Sequence, residues 1–327
     1  MTLEQQRIKL AFLPTPIHEL PRVTKHLNGP RILIKRDDLT GLALGGNKTR
    51  KLEYLFGDAL KHDIDTIVTA GAVQSNHCRQ TAAAAAQLGL RCELLLNGKP
   101  PQALDGSTLL DNVLGANIHW QGHDGGPNTL EELAQRVRAA GHKPYIIPYG
   151  GSNAFGTMGY VNAMVEIMQQ QEASQQPITH IILASCSGAT QAGLVVGAQL
   201  ANFTGKIIGI SVDYDESQKA QYQQDHVDLA NATAAKLGLD KQFTSNDFAV
   251  EYAYATGYGI VKELERNAIH LLAGLEGILL DPVYSGRAFG ALIDMIEKGN
   301  FSENDTILFL HTGGAPALFP YASKIVR

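Results

Sequence analysis

The sequence predicts an α/β fold of open, mostly parallel twisted sheets with flanking helices. Short apolar segments alternate along the chain with helical segments, a pattern typical of parallel sheets. Glycine-rich or small-residue turns directly follow several of the apolar segments. Because ligands of such sheets bind outside the carboxyl ends of the strands, several of these turns are expected to converge on one ligand.

Each element follows from hydrophobic periodicity: short apolar runs predict strands, and spacing near 3.6 residues predicts helices. Strands are predicted at residues 31–36, 65–70, 91–96, 116–120, 145–147, 179–184, 206–212 and 306–310. Helices are predicted at residues 51–61, 78–88, 104–114, 130–140, 157–170, 191–201, 215–237, 257–272 and 287–297. Prolines punctuate residues 1–30 and predict an extended arm there, whereas the polar run 169–176 predicts a loop.

Composition argues against several classes of function. The chain has 327 residues, 44% hydrophobic and 18% charged, which suits two domains or one large one. A net charge of −5 gives no indication of binding to nucleic acid or to an anionic membrane. No window is long and apolar enough to span a membrane, and residues 1–7 lack the apolar run of a signal peptide. The three cysteines, Cys78, Cys92 and Cys186, lack metal-ligand spacing and favour a reducing cytoplasm.

The segment 44–54 is the first candidate for chemistry. Gly45 and Gly46 allow a sharp turn after a predicted strand, Asn47 can cap the following helix, and Lys48 lies at its positive end. That end favours an anion, and a desolvated lysine near positive charge has a lowered pKa and can form a Schiff base. Taken alone, the segment favours an ordinary solvated lysine at a helix start.

Other turns have similar ambiguity. Residues 187–190 form an anion nest suited to phosphate, although an ordinary helix cap explains them too. Residues 75–77 offer a hydroxyl, an amide and an imidazole for a carboxylate, and Tyr258 and Tyr284 are candidate proton carriers or structural tyrosines. No turn has the dinucleotide-binding pattern G-x-G-x-x-G. Together, a lysine, a phosphate nest and a carboxylate site fit an amino-acid enzyme that uses pyridoxal phosphate.

Six motifs spread over nearly the whole chain make this interpretation specific. They are residues 35–38, 45–48, 74–77, 150–153, 281–284 and 311–314, which read KRDD, GGNK, QSNH, GGSN, DPVY and HTGG. In this order the chain resembles the 1-aminocyclopropane-1-carboxylate deaminase and D-cysteine desulfhydrase family. These are type II pyridoxal-phosphate enzymes, related in fold to the tryptophan synthase β chain. The resemblance implies a small amino-acid substrate, a homodimer, a large cofactor-binding domain (1–50 and 162–327) and a small inserted α/β domain (51–161).

The resemblance also implies roles for individual residues. Lys48 would carry the cofactor covalently, and Asn76 would bond its ring hydroxyl. The other residues expected to contact the cofactor are Asn47, Ser187, Gly188, Ala189, Thr190, Tyr284 and Thr312. The substrate would contact Ser75, Asn76, His77, Tyr258 and Ser285. Three residues, Lys48, Tyr284 and Ser75, are candidates for taking the Cα proton, and no metal is implied.

Two positions distinguish the sister activities. The deaminases of this family carry glutamate where Ser285 stands and leucine where Thr312 stands. A carboxylate near the cofactor's ring nitrogen keeps it protonated and makes a stronger electron sink, which breaking a cyclopropane carbon–carbon bond requires. D-cysteine has a good thiolate leaving group, so β-elimination of D-cysteine is favoured. The alternatives are deamination of the cyclopropane amino acid, an L-cysteate sulpho-lyase, and a non-catalytic amino-acid- or phosphate-binding protein on this scaffold.

Overall fold

Two sheets of mostly parallel strands form the scaffold in the computed structural model, which describes residues 7–123, 125–171 and 176–326. The strands are β1 (Ile17–Glu19), β2 (Arg31–Lys35), β3 (Thr66–Ala72), β4 (Arg91–Asn97), β5 (Asn117–Trp120), β6 (Pro144–Ile146), β7 (His180–Ser185), β8 (Lys206–Ser211), β9 (Ala249–Glu251) and β10 (Thr306–Leu310). The helices are α1 (Pro21–Leu27), α2 (Lys48–Ala59), α3 (Asn76–Gln87), α4 (Gly106–Val113), α5 (Leu130–Ala139), α6 (Ala154–Gln171), α7 (Ala189–Leu200), α8 (Lys219–Leu237), α9 (Glu263–Glu276), α10 (Ser285–Glu297) and α11 (Ala322–Ile325). The predicted α/β fold is confirmed.

The larger sheet has six strands in the order β1-β2-β10-β7-β8-β9, and only β1 is antiparallel to its neighbour. Successive side chains of a strand point to opposite faces, and both faces here are buried. On β10, Ile307 and Phe309 join a core with α9 and α10, whereas Leu308 and Leu310 join a core with α6 and α7. Burial on both faces explains why these strands read as continuous apolar runs.

The smaller sheet has four parallel strands in the order β5-β4-β3-β6. Helices α2 and α3 cover one face, where Leu52, Phe56 and Ala82 pack against Ile67 and its neighbours. Helix α5 covers the other face through Leu133 and Val137. All four strands lie within the segment 51–161.

A buried ionic cluster fixes α2 against the larger sheet. Arg50 on α2 donates to Asp37 after β2 (Nε to Oδ2, 2.8 Å) and to Glu166 on α6 (Nη1 to Oε2, 3.0 Å). Lys35 on β2 also donates to Glu166, and the Tyr160 hydroxyl donates to Asp37 (2.6 Å). The cluster therefore sets the position of the helix that begins at Lys48.

Several sequence predictions were wrong in detail. The predicted arm over residues 1–30 contains β1 and α1, because Pro21 occupies the first helical turn, where its fixed φ is favourable. Helix α9 begins at Glu263 instead of residue 257, since Gly257 and Gly259 have positive φ of 95° and 71°. Strand β9 was not predicted, and α6 extends to Gln171, into the predicted loop 169–176. Residues 172–175 of that loop and residues 1–6 lie outside the described chain.

Within the described ranges, none of the helices combines the length and apolar character needed to cross a membrane.

Candidate active site

The main candidate site is a cavity at the carboxyl ends of strands from both sheets. The space between its walls, open solvent at the mouth included, is about 620 Å³. Turns after β3, β6, β7 and β10 supply its walls, together with the start of α2. The lining residues are Asn47, Lys48, Ser75, Asn76, His77, Tyr149, Gly150, Ala184, Ser185, Cys186, Ser187, Gly188, Thr190, Tyr284 and Thr312.

Two lysine amines meet at one wall of the cavity. Lys48 and Lys51 both donate from Nζ to the carbonyl oxygen of Gly150, and the N–O distance is 3.3 Å in each case. Burial lowers the pKa of Lys48, and burial together with the charge of Lys48 lowers the pKa of Lys51 well below its ordinary value. No carboxylate of the described residues lies within ion-pair distance of either amine. Two adjacent amines without a carboxylate partner favour an anionic ligand, which would stabilise their protonated forms.

Gly150 keeps this wall open. Its φ of +65° suits glycine, and a Cβ there would lie 2.5 Å from Ser187 Oγ and 3.5 Å from Lys48 Nζ. A larger residue would fill the space between the lysines and the turn that follows β7.

That turn forms the start of α7 and faces the lysines. Gly188 has a φ of +82° and precedes the first helical residue, so the positive end of a twelve-residue helix points into the cavity. Thr190 accepts a hydrogen bond from Asn47 Nδ2 (3.1 Å), and the Ser152 hydroxyl donates to Ser187 Oγ (2.8 Å). Hydroxyls, a helix start and two amines together fit a phosphate-bearing ligand that reacts with a lysine.

The start of α3 forms the opposite wall. Ser75 Oγ accepts from the backbone N–H of Cys78 (3.1 Å), which leaves its hydroxyl hydrogen able to donate to a ligand. His77 Nε2 lies 2.9 Å from Thr69 Oγ1, whose own hydroxyl donates to the Ile147 carbonyl (2.8 Å). This chain of donors assigns the proton to Nε2.

His77 therefore offers an acceptor to the cavity. Burial and the charges of Lys48 and Lys51 hold the pKa of His77 well below its ordinary value, so the ring is neutral. Its Nδ1 is buried without a hydrogen-bond partner in the described chain. A bare imidazole nitrogen does not attract a carboxylate. Donation to a carboxylate at this wall would come from the Ser75 hydroxyl and from backbone N–H groups at the helix start.

Two tyrosines approach the cavity from the large sheet. The Tyr284 hydroxyl lies 3.4 Å from the Tyr258 hydroxyl, and the rings meet edge to face with centroids 5.9 Å apart. Burial raises the pKa of both, so both hydroxyls stay protonated near neutral pH. Buried Arg287 steadies the loop of Tyr258 by donating to the carbonyls of Gly257 (3.1 Å) and Ile260 (2.5 Å).

Ser285 is placed differently from Tyr284. Its hydroxyl is fully buried, accepts from the backbone N–H of Asp281 (2.8 Å) and donates to Asp281 Oδ1 (2.6 Å). Asp281 also accepts from the backbone N–H of Tyr284 (2.8 Å) and so organises the whole turn. The Ser285 hydroxyl hydrogen is thereby committed to Asp281.

Most predicted site residues meet at this cavity. All of the predicted site residues line it except Ala189, Tyr258 and Ser285. Ala189 is buried and its N–H donates to the Ser187 carbonyl (3.1 Å). Six lining or adjoining residues were not predicted as site residues: Lys51, Tyr149, Gly150, Ala184, Ser185 and Cys186. The signal for Lys51 was its position three residues after Lys48, on the same helical face.

Comparison with known proteins agrees with this geometry. The family model described as "Pyridoxal-phosphate dependent enzyme" matches residues 8–313. This chain belongs to the pyridoxal-phosphate dependent enzyme family. The cofactor predicted from the sequence is therefore confirmed, and so is the assignment of the chain as an enzyme.

Relatives within and around this family give a finer picture. The chain is 45% identical over 321 residues to a protein of Klebsiella pneumoniae (strain 342) named D-cysteine desulfhydrase, covering 96% of each. A solved structure described as an ACC deaminase homologue is 38% identical with a TM-score of 0.86, covering 98% of this chain and 95% of the other. A fungal L-serine ammonia-lyase from Rhizomucor miehei shares the fold (TM-score 0.65) at 17% identity, covering 98% of this chain and all of the other (100%). The resemblance found in the sequence is confirmed.

Proposed function

We propose that this enzyme catalyses β-elimination of D-cysteine to pyruvate, hydrogen sulfide and ammonia. The observation that carries the proposal is the pair Lys48 and Lys51, which share the Gly150 carbonyl opposite the start of α7. Identity of 45% over nearly the whole chain to a protein named D-cysteine desulfhydrase supports the substrate.

The cavity suggests how each group would be held. Lys48 would bind the cofactor covalently, and Lys51 with residues 187–190 would bind its phosphate. Asn47 would support this end of the site through its bond to Thr190. Asn76 would meet the ring hydroxyl, and Ser75 would donate to the substrate carboxylate. The cofactor ring and the substrate would be in contact with Tyr258, Tyr284 and Thr312.

The bound cofactor supplies an electron sink for the negative charge that develops at Cα. Lys48 Nζ would take the Cα proton, because burial lowers its pKa and so favours the neutral, basic amine. Burial raises the pKa of Tyr284 and keeps its hydroxyl protonated, so it would not serve as the base, but it can donate a hydrogen bond to the departing sulfur. The Cβ–S bond breaks with its electron pair on sulfur. One water then hydrolyses the remaining enamine to pyruvate and ammonia.

Deamination of the cyclopropane amino acid is the second candidate, favoured by the 38% identity to the structure described as an ACC deaminase homologue. Against it, Ser285 gives no carboxylate at its position, and its hydroxyl hydrogen already serves Asp281. Thr312 likewise presents a small polar side chain to the cavity.

Product analysis of purified holoenzyme tests the proposal. D-cysteine, L-cysteine and the cyclopropane amino acid are supplied in parallel, and sulfide, pyruvate and 2-oxobutyrate are measured. We expect sulfide and pyruvate in equal amounts, fastest from D-cysteine. Formation of 2-oxobutyrate with no sulfide would instead support deamination. Lys48→Ala should lose both activity and the visible absorption of lysine-bound cofactor, and survival of that absorption would overturn the role of Lys48.

We also propose a homodimer, a cytoplasmic location and a two-domain division. An apolar groove lined by Leu39, Leu44 and Leu279 supports self-association. Three free thiols and no disulfide in the described chain suit a reducing compartment. The confinement of the four-stranded sheet to residues 66–146 supports a small domain at 51–161.

A further inference from the structure

A buried arginine outside the predicted site connects the segment before Lys48, the residue Asn76 and helix α4. Arg79 lies on α3 with no exposed surface. Its Nε donates to the carbonyl of Ala43 (3.0 Å), and its Nη2 donates to the carbonyl of Gly45 (2.8 Å). Its Nη1 donates to Asn76 Oδ1 (2.7 Å) and to Ser107 Oγ on α4 (3.3 Å). One rigid guanidinium thus binds two backbone carbonyls and two side chains.

The two carbonyls belong to a segment of unusual backbone geometry. Residues 43–46 all have positive φ, and two of them, Ala43 (43°) and Leu44 (69°), are not glycine. A residue with a side chain adopts this region at an energetic cost and persists there only when its surroundings enforce it. Arg79 binds the carbonyls of the first and third residues of the segment, five and three residues before Lys48.

The bond to Asn76 fixes the direction of an amide that lines the cavity. Because Arg79 carries only donors, it must meet the amide oxygen, and the Asn76 NH₂ group is left for other acceptors. No acceptor among the described residues is hydrogen-bonded to Asn76 Nδ2, and the residue faces the cavity. The cavity therefore receives a donor, which suits a hydroxyl or oxyanion of a bound ligand.

We propose that Arg79 is a positioning residue, which holds the left-handed segment 43–46 before Lys48 and turns the Asn76 amide so that its nitrogen donates to the cofactor. The role of Arg79 toward the Asn76 amide and the cofactor rests on the proposed function. Its role in holding segment 43–46 does not depend on that function. Arg79 touches no reacting atom and acts through Lys48 and Asn76.

The charge of Arg79 is separable from its geometry. Asp111 on α4 is buried, and neither of its carboxylate oxygens has a hydrogen-bond partner in the described chain. It lies near enough to Arg79 to raise the pKa of the guanidinium, as Asp281 also does, but burial outweighs both and the pKa is lowered to about 10. Burial raises the pKa of Asp111 itself to about 7. Asp111→Asn removes one of these two countercharges, while Arg79 keeps its charge and all four hydrogen-bond partners. Arg79→Lys keeps the charge and loses the planar fork.

Two measurements compare these variants with wild type. Hydrogen–deuterium exchange of the cofactor-free chain reports on peptides covering residues 40–48. Titration with pyridoxal phosphate, followed by circular dichroism in the cofactor band, reports affinity and the asymmetry of the bound ring. For Arg79→Lys we expect faster exchange at residues 40–48, a cofactor affinity weakened by about tenfold or more, and a reduced dichroic band. Asp111→Asn should match wild type in all three.

Each other outcome is decisive. Unchanged exchange at residues 40–48 in Arg79→Lys would overturn the clamp on the segment. Faster exchange with an unchanged dichroic band would overturn the positioning of Asn76. Equal effects of Asp111→Asn would mean that any change in this buried region loosens the segment, and would overturn a specific role of the Arg79 fork. If wild type failed to bind pyridoxal phosphate, the proposed function would be wrong. Hydrogen–deuterium exchange at residues 40–48 would still test whether Arg79 holds segment 43–46.

A structure of the wild-type holoenzyme tests the proposal without any variant, should Arg79→Lys not fold. We expect the guanidinium within hydrogen-bond distance of Asn76 Oδ1, and Asn76 Nδ2 facing a cofactor oxygen. An Asn76 amide turned to present its oxygen to the cofactor would overturn the proposal.

Discussion

Lys51 connects proton binding to anion binding at the level of a single residue. Its pKa lies well below the ordinary value because of burial and the charge of Lys48. A bound phosphate favours the protonated form and raises that pKa again. Binding should therefore take up protons, and affinity should be highest at lower pH and fall as the pH rises through the pKa of the complex.

Calorimetry of the cofactor-free protein with inorganic phosphate measures this uptake. In buffers of different ionisation enthalpy, the observed heat should change in the direction of proton uptake by the protein. Lys51→Gln should remove most of the uptake and weaken phosphate binding by about tenfold or more. Lys61→Gln, at an exposed position just beyond the end of α2, should leave proton uptake and phosphate affinity unchanged. Uptake that persists in Lys51→Gln would assign the proton to another group.

Ser285 gives a second prediction for one residue. The sequence comparison with the deaminases suggests that Ser285→Glu would move the enzyme toward the cyclopropane substrate. However, Ser285 is fully buried and its hydroxyl is 2.6 Å from Asp281 Oδ1, so a glutamate would place two carboxylates in contact. We expect Ser285→Glu to lose activity on D-cysteine by more than about tenfold and to unfold at lower denaturant, without gaining deaminase activity.

Ser285→Ala is the matched control, because it removes the same hydroxyl without adding charge. It should retain more stability than Ser285→Glu in urea titrations. Efficient 2-oxobutyrate formation by Ser285→Glu would show that the turn around Asp281 adapts, contrary to its dense set of hydrogen bonds.

At the level of elements, the cluster around Arg50 joins β2, α2 and α6. Removing one partner of a buried ion pair leaves the other charge uncompensated, which costs about 3–5 kcal/mol. Arg50→Met should lower the free energy of unfolding by about this amount in urea. Arg138→Met, which breaks an exposed pair with Glu131, should cost about 0.5 kcal/mol or less. Similar costs for the two variants would contradict the structural role of the cluster.

The same cluster predicts how stability depends on pH. Burial raises the pKa of Asp37 and of Glu166, but Arg50 and Lys35 together outweigh it, so both folded-state pKa values lie below their ordinary values. Their contribution to folding stability is therefore complete above about pH 4–4.5, where free carboxylates have their pKa values. It is lost as the pH falls through the lower pKa values of the folded state. Unfolding measured from pH 6 to pH 3 should show this loss in wild type and a flatter profile in Arg50→Met.

These elements also explain what could be predicted from the sequence. Strands such as β7 and β10 are buried on both faces and read as apolar runs, so their positions follow from composition. The sequence does not predict helix α1, because whether Pro21 breaks a helix or occupies its first turn depends on context. The predicted start of α9 is too early because Gly257 and Gly259 lie in a loop fixed by distant Arg287. Lys51 and Arg79 look like ordinary helix-surface cations in sequence. Only tertiary packing buries them.

The whole molecule presents an apolar groove to solvent. Leu39, Leu44 and Leu279 line it and are 45%, 62% and 54% exposed. The ring of Phe12, 76% exposed, lies beside it over Gly41. Contiguous exposed apolar surface of this kind is typical of an association site, and in a homodimer the same patch of both copies would meet.

Charge in this groove should prevent self-association. We expect wild type to sediment as a dimer and Leu279→Lys to sediment as a monomer at micromolar concentration, because two buried ammonium groups would face each other across a symmetric interface. Leu200→Lys, an exposed leucine at the end of α7, is the matched control and should remain dimeric. A dimer that survives Leu279→Lys but dissociates in Leu200→Lys would move the interface away from the groove. Since Leu44 directly precedes Gly45, whose carbonyl binds Arg79, an interface here would also stiffen the segment before Lys48. Exchange at residues 40–48 should then be faster in the Leu279→Lys monomer than in the dimer.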